Sequence, residues 1–235
     1  MENNNFYSSQ QELDLQTGLN AYVSKIFGTM FLGLLITAFS AVFTVTSETM
    51  FNLLYGSSFV FILIIAELVL VMVLSARITK ISHAAALAMY YIYAVINGIT
   101  LSSIFFVYDM GTVYTAFFTA AISFGVMAVY GITTKKDLTK IGSMLIMLLV
   151  GIVIASLINI FIGSESFELI ISFVAVAVFV GLVAFDTQKL KSYYYSSVGD
   201  PQLQRKIGII GALSLYLDFI NIFLYLLRIF GNKRN

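Results

Sequence analysis

Cysteine is absent from the 235 residues, which excludes disulfides, thiolate metal sites, cysteine nucleophiles and c-type haem attachment. The single histidine, His83, excludes multi-histidine metal sites and leaves Ser-His-Asp chemistry only if that residue is the base. Proline occurs once, at Pro201. Charge is scarce as well: Asp, Glu, Lys and Arg make up 11% of the chain, where about 25% is usual for a soluble domain. So few ionisable groups cannot cover a globule of this size in water, which excludes an ordinary soluble enzyme. The net charge of +1 points neither to nucleic-acid binding nor to an acidic tail. What fills the chain instead is apolar, at 60% of residues, and it reads as a polytopic membrane protein.

A helix needs about 20 mostly apolar residues to cross the hydrocarbon core. Seven segments meet that measure: Ile26–Val45, Phe59–Leu74, Ala84–Val107, Gly111–Ile132, Ile141–Ile162, Leu169–Phe185 and Ile207–Phe230. They are too long, and alternate too little, for the strands of an outer-membrane barrel. The fold class is all-α, with one membrane domain over residues 21–235 behind a polar tail, mobile or interfacial, over residues 1–20. The acidic start at Glu2 and the length of the first apolar run argue against a cleaved signal, so span 1 serves as an insertion signal that stays.

The basic residues set the orientation. The connections after spans 1, 3 and 5 hold no Lys or Arg, and those after spans 2, 4 and 6 hold nine: Arg77, Lys80, Lys135, Lys136, Lys140, Lys189, Lys191, Arg205 and Lys206. By the positive-inside rule the second set, and with it the N-terminus, is cytoplasmic. Lys233 and Arg234 break the pattern, so the last helix either crosses against the rule or enters and returns. The one long connection runs over residues 186–206.

Ionisable groups at membrane depth cost about 2.5–3.5 kcal/mol each on insertion scales and need a reason. Glu67 lies mid-way along span 2, Asp186 at the end of span 6 and Asp218 mid-way along span 7. Span 7 carries Gly211, Ser214, Asp218, Asn221, Tyr225 and Arg228 at spacings of 3, 4, 3, 4 and 3, one face of a helix. Such a stripe suits a packing seam, but a central Asp favours a buried functional face. Tyr90, Tyr93, Asn97 and Thr100 form a weaker stripe in span 3, with Gly98 and Ser102 as a small-xxx-small pair. Ser156 and Asn159 suit helix packing, and His83 reads as a solvated loop residue.

Asp218 stands eleven residues beyond Ile207, about 16 Å along a helix. A later start or a tilt of span 7 lets it meet Asp186 within the cytoplasmic half. Two carboxyls close together in a low dielectric cannot both ionise cheaply, which makes such a pair a proton switch. The alternative is that Asp186 caps the turn that follows it. Arg77, at the end of span 2, either pairs with one of these acids or snorkels to headgroups. Glu67, deeper still, needs solvent, a partner helix or a proton.

The runs Gly181-Leu182-Val183-Ala184-Phe185-Asp186-Thr187-Gln188-Lys189-Leu190-Lys191 and Gly211-Ala212-Leu213-Ser214-Leu215-Tyr216-Leu217-Asp218-Phe219-Ile220-Asn221 resemble the Bax inhibitor family in its bacterial branch. The runs from Gly98 to Phe105 and from Tyr130 to Leu138 match as well, and the likeness extends from about residue 18 to the end. The resemblance implies seven helices with the last at the centre of a six-helix ring. It also implies a pH-sensitive calcium leak in the inner membrane, with no enzymatic activity and no cofactor. In similar members an aspartate pair on the sixth and seventh helices senses pH and is bridged, when closed, to an arginine of the second helix. Carried over, these are Asp186, Asp218 and Arg77, with Glu67, Asn97, Ser214 and Asn221 along the ion path.

Calcium takes oxygen ligands, which makes Asp186 and Asp218 the candidate metal ligands and calcium ions, protons and membrane lipids the expected partners. Two other classes compete. A regulator that binds other membrane proteins, such as a membrane protease or stress-response partner, needs no transport of its own. An intramembrane aspartyl protease also places one Asp on each of two neighbouring spans. However, Leu215-Tyr216-Leu217-Asp218 lacks the glycines of such enzymes, and the proline-containing docking motif is missing.

Overall fold

Hydrocarbon offers no partner for a backbone N–H or C=O, so each apolar run must satisfy these groups within itself, and in this chain the runs do so as helices. The computed structural model describes the backbone of residues 2–55 and 59–231 and the side chains of residues 13–50, 52, 54 and 59–231. In chain order the helices are α1 (Glu2–Thr46), α2 (Glu48–Tyr55), α3 (Phe59–Arg77), α4 (His83–Leu101), α5 (Ile104–Val107), α6 (Met110–Thr133), α7 (Thr139–Ile162), α8 (Glu165–Ser196) and α9 (Pro201–Phe230). Seven of them are long and apolar enough to cross a membrane, and the described residues contain no strand.

Short polar residues set the helix boundaries. Ser82 caps α4 by accepting from the Ala85 N–H at 3.2 Å, and Ser164 caps α8 through the Phe167 N–H at 3.3 Å. Asp109 caps α6 through Thr112, whose hydroxyl and N–H hold the Asp109 carboxyl below the ordinary carboxylate range. Asp200 accepts from the Gln202 and Leu203 N–H groups, both at 3.0 Å, ahead of Pro201 at the first position of α9. Helix α7 stops at Gly163, whose φ of +67° is the left-handed conformation that ends a helix without a Cβ penalty.

Two expectations change. The polar tail is not separate from span 1, because α1 is one continuous helix from Glu2 and already packs its Leu19, Tyr22 and Val23 inward. Span 3 runs through to Val107 as expected; past Leu101 it tightens to i→i−3 bonds, with the Ser102 and Ser103 hydroxyls on the Ile99 and Thr100 carbonyls, before α5. The long connection after Asp186 shrinks to residues 197–200, because α8 runs on to Ser196 with Leu190 and Tyr194 buried. Asp186 therefore lies ten residues inside its helix, about 15 Å from that end.

The last helix is the central one. Residues in the apolar stretch of α9 are 67% buried, against 6% for α3 and 11% for α7. Helix α9 packs on α8, α6, α1 and α4, while α3 lies on α4 and α7 on α8 at the periphery. It also runs the whole way: Gly231 reaches the Tyr108 ring beyond α5, and Arg228 meets Glu168 near the start of α8 at 3.8 Å. The helix therefore traverses without turning back, and Arg228 is neutralised locally. Lys233 and Arg234 lie outside the described residues.

Close helix approach depends on small residues, as expected where lipid tails give no hydrophobic drive. A Cβ on Gly131 would overlap the main-chain carbonyl of Ala184 in α8, and one on Gly98 would overlap that of Thr37 in α1. Gly131→Ala is therefore expected to lower stability by about 1–3 kcal/mol, because backbone cannot yield as a side-chain end can. Gly125→Ala, with nothing within 4 Å of its added Cβ, is expected to gain about 0.5–1 kcal/mol from reduced chain freedom. Thermal unfolding of the two purified variants in detergent checks the contrast.

Candidate functional site

The polar stripe of span 7 is the side of α9 that faces α8. Leu190 of α8 fills the notch at Gly211, Tyr225 stacks on Phe179 at 6.0 Å between ring centroids, and Arg228 meets Glu168. These contacts form an antiparallel zipper whose register fixes where the acids sit. From the Gly211–Leu190 crossing, Asp186 is four residues along α8 and Asp218 seven along α9 in the same direction. Their levels differ by three residues, about 4.5 Å of rise.

Asp186 is the charged group that acts on Asp218, and Lys189, one turn further along α8, is the one that acts on Asp186. Asp218 is 4% exposed and its Oδ2 has no hydrogen-bond partner. Thr187, beside Asp186 and fully buried, also has an unpartnered hydroxyl. Native structures satisfy almost every buried polar atom, so this seam is unusual in holding two orphans and an acid pair. Among the described residues no three carboxylate, imidazole or thiol groups converge to hold a metal ion.

A second polar cluster lies on the other side of α9. The Asn97 side-chain amide donates to Glu67 Oε2 at 3.2 Å, and Thr100 donates to Glu67 Oε1 at 2.7 Å. Tyr216 donates its hydroxyl to Asn97 Oδ1 at 2.9 Å and shares a 2.6 Å bond with the Thr37 hydroxyl. With the Tyr216 proton on Asn97, Thr37 donates to Tyr216; the Ala94 carbonyl at 2.9 Å and the Gly33 carbonyl at 3.0 Å are the alternative acceptors for its one proton. One chain of hydrogen bonds thus links α3, α4, α9 and α1 through the bundle. Tyr90 and Tyr93 pack edge-on against the Tyr216 ring and shield it. Tyr216 and Asp218 are two residues apart, about 200° around the helix, so one turn of α9 serves both clusters on opposite faces.

The structure therefore sets Asp186 and Asp218 at similar levels of the α8–α9 seam and bonds Asn97 to Glu67, and the two sets lie on opposite sides of α9. Asn221 and Ser214 sit half-buried on the α8 side, and Asn221 spends its amide on the Leu217 carbonyl of its own helix at 2.7 Å. Arg77 is exposed at the last turn of α3 and forms no ion pair among the described residues, so it does not reach the acid pair here. His83 is no loop residue; it opens α4 and is half-buried.

Two network members, Tyr216 and Thr37, do not stand out in the sequence. Tyr216 falls off the 3,4-spaced polar stripe of span 7 and Thr37 lies in span 1, which has no such stripe, so the only signal is a hydroxyl that interrupts a run of mostly aliphatic residues.

Comparison with known proteins places the chain. Residues 19–235 match the family model described as inhibitor of apoptosis-promoting Bax1. The inner membrane protein YbhL of Escherichia coli (strain K12) is 46% identical over 231 residues, which cover 97% of this chain and 99% of that protein. An uncharacterized protein of Borreliella burgdorferi is 41% identical over 92% of this chain and 94% of its own. One from Rickettsia prowazekii is 37% identical over 93% and 92%.

The saturated network has a structural consequence. Tyr216→Phe strips Asn97 and Thr37 of a shared partner inside the bundle, and the expected cost is about 0.6–2 kcal/mol, the range of interhelical hydrogen bonds in membranes. Chemical unfolding in mixed micelles measures it. Ser143→Ala, which removes a hydroxyl bonded only to its own helix at Thr139, is expected to change nothing measurable.

Proposed function

Since the chain belongs to the Bax inhibitor family and its central helix holds the orphaned Asp218 against Asp186, we propose that it is a passive, proton-gated calcium leak of a bacterial inner membrane. The observation that carries the reading is the unpartnered Asp218 Oδ2, buried in the α8–α9 seam with another carboxyl as its charged neighbour. Packing alone would not retain it, because a buried acid without partners costs more than the apolar residue that could replace it.

The chemistry follows from two carboxyls in a low dielectric. With one proton between them they sit together in the seam; with none they repel each other and draw a cation. Calcium, a hard ion that takes six to eight oxygens, competes with protons for that place. Two carboxyls supply at most four of those oxygens, so the ion keeps some of its water and binds weakly enough to leave. This suits a leak better than storage. Helix α9 packs on α1, α4, α6 and α8, so a shift at the seam acts against the helices that hold its other faces. The Glu67 carboxylate is held on the far side of α9 by Asn97 and Thr100.

In this reading the N-terminus is cytoplasmic, as the nine-to-none split of basic residues between alternate connections supports. Arg77 then lies at the cytoplasmic end of α3, where a bridge to the pair requires α3 and α8 to approach.

Calcium flux from proteoliposomes of the purified protein, followed over a pH series, tests the assignment. The parent is expected to change its flux with pH, and Asp218→Asn and Asp186→Asn are each expected to flatten that dependence while keeping the parent's melting behaviour. A pH response undiminished in both variants would overturn the gate. Absence of flux from the folded parent would overturn transport itself in favour of a regulator that acts through other membrane proteins.

A further inference from the structure

At the end of the bundle where the α8–α9 turn lies, α1, α4 and α9 leave a cavity of about 450 Å³ between them, in the size range of small-molecule pockets. Its walls carry Lys25 from α1, His83 from α4 and Arg205 from α9, and no carboxylate among the described residues lines it. Lys25 and Arg205 are the charges that act on His83, so the three are neighbours and not merely on one rim. The nearest acid in sequence, Asp200, spends its carboxylate on the cap of α9.

Two buried polar atoms of this cavity have no partner: the hydroxyl of Tyr22, a residue only 8% exposed, and Nδ1 of His83. Tyr22 and Lys25 are three residues apart on α1 and share a face. Gly208 of α9 sits opposite, and its missing side chain leaves the Tyr22 ring edge 3.4 Å from where a Cβ would stand. Lys25 and Arg205 are exposed at its mouth, so the cavity presents two like charges that no lining acid among the described residues balances.

From these features we propose that the cavity is a binding site for a phosphate group. The chemistry matches: a tetrahedral anion offers several acceptor oxygens to a guanidinium, an ammonium, a phenol and an imidazole N–H, and takes up both charges at once. Basic pockets between membrane helices near the cytoplasmic surface hold lipid phosphates by this means. The same chemistry accepts a free phosphate from the aqueous side. The site shares no residue with the Asp186–Asp218 seam, and its occupancy does not depend on calcium flux.

Two measurements on the purified full-length protein distinguish the sources. Inorganic phosphate is titrated in a phosphate-free detergent, followed by phosphorus NMR line broadening. Retention of phosphatidylglycerol against phosphatidylcholine is measured by native mass spectrometry after extraction from nanodiscs containing both. The parent is expected to bind in at least one arm, and the arm that responds identifies the source. The Lys25→Gln/Arg205→Gln variant is expected to weaken binding by ~10-fold or more, and Tyr22→Phe by ~3-fold, as the loss of charged and neutral hydrogen bonds predicts. Tyr22→Phe keeps shape and apolar area, so it carries the test if the double variant does not fold. Binding in neither arm, or binding that folded Tyr22→Phe leaves unchanged, would overturn the proposal.

Discussion

Polar side chains on a membrane helix must be enclosed by protein, because hydrocarbon can neither hydrogen-bond nor solvate them. Helix α9 carries both Asp218 and Tyr216 at mid-length, on opposite faces, so no single neighbour could shelter it. It needs helices on several sides, and it has α1, α4, α6 and α8. The close approaches that make this enclosure tight rest on residues without side chains: Gly98 lets α4 lie on the Thr37 carbonyl, and Gly131 lets α6 lie on that of Ala184. The peripheral helices α3 and α7 then have little left to bury and turn residues such as Phe61, Met72, Met147 and Phe161 outward.

The two faces of α9 differ in how fully they are satisfied. Toward α1 and α4, the chain from Thr37 through Tyr216 and Asn97 to Glu67 pairs donors with acceptors at ordinary distances. Such a network is rigid, because every member that moves leaves another unpaired. Toward α8, Asp218 and Thr187 each keep an atom without a partner. The helix is therefore pinned on one side and under-satisfied on the other. Changes of protonation or cation occupancy on the loose side act against a fixed support, which is a mechanical arrangement suited to the proposed gate.

How much of this was readable beforehand differs by feature. Span number and approximate limits follow from length and hydropathy, since crossing the bilayer is a one-dimensional requirement on the chain. The stripe from Gly211 to Arg228 identified the α8-facing side of α9 because helical periodicity maps spacing directly onto a face. Its partner residues were less accessible. Thr37 and Tyr216 carry no distinctive spacing, and a hydroxyl in an apolar run can equally bond its own helix, as Thr44 does with the Ser40 carbonyl at 2.8 Å. The continuation of α8 past Asp186 was missed because its last turns are polar, whereas their helical state depends on burying Leu190 and Tyr194 against other elements.

Sequence alone determined that this chain crosses a membrane by helices, which acids had to be explained, and which family its motifs resemble, because these depend on composition, run length and periodicity along one strand of covalent bonds. Tertiary structure decided which polar groups share a place: Asp218 buried in the α8–α9 seam about one helical turn in level from Asp186, Glu67 bonded to Asn97 and Thr100, and Arg77 with neither set. It also gathered Tyr22, Lys25, His83 and Arg205 from three helices around one cavity. Such meetings depend on the axial register between helices, and register is set by where a glycine lets a neighbouring backbone or side chain settle, a property of two surfaces together that neither helix carries by itself.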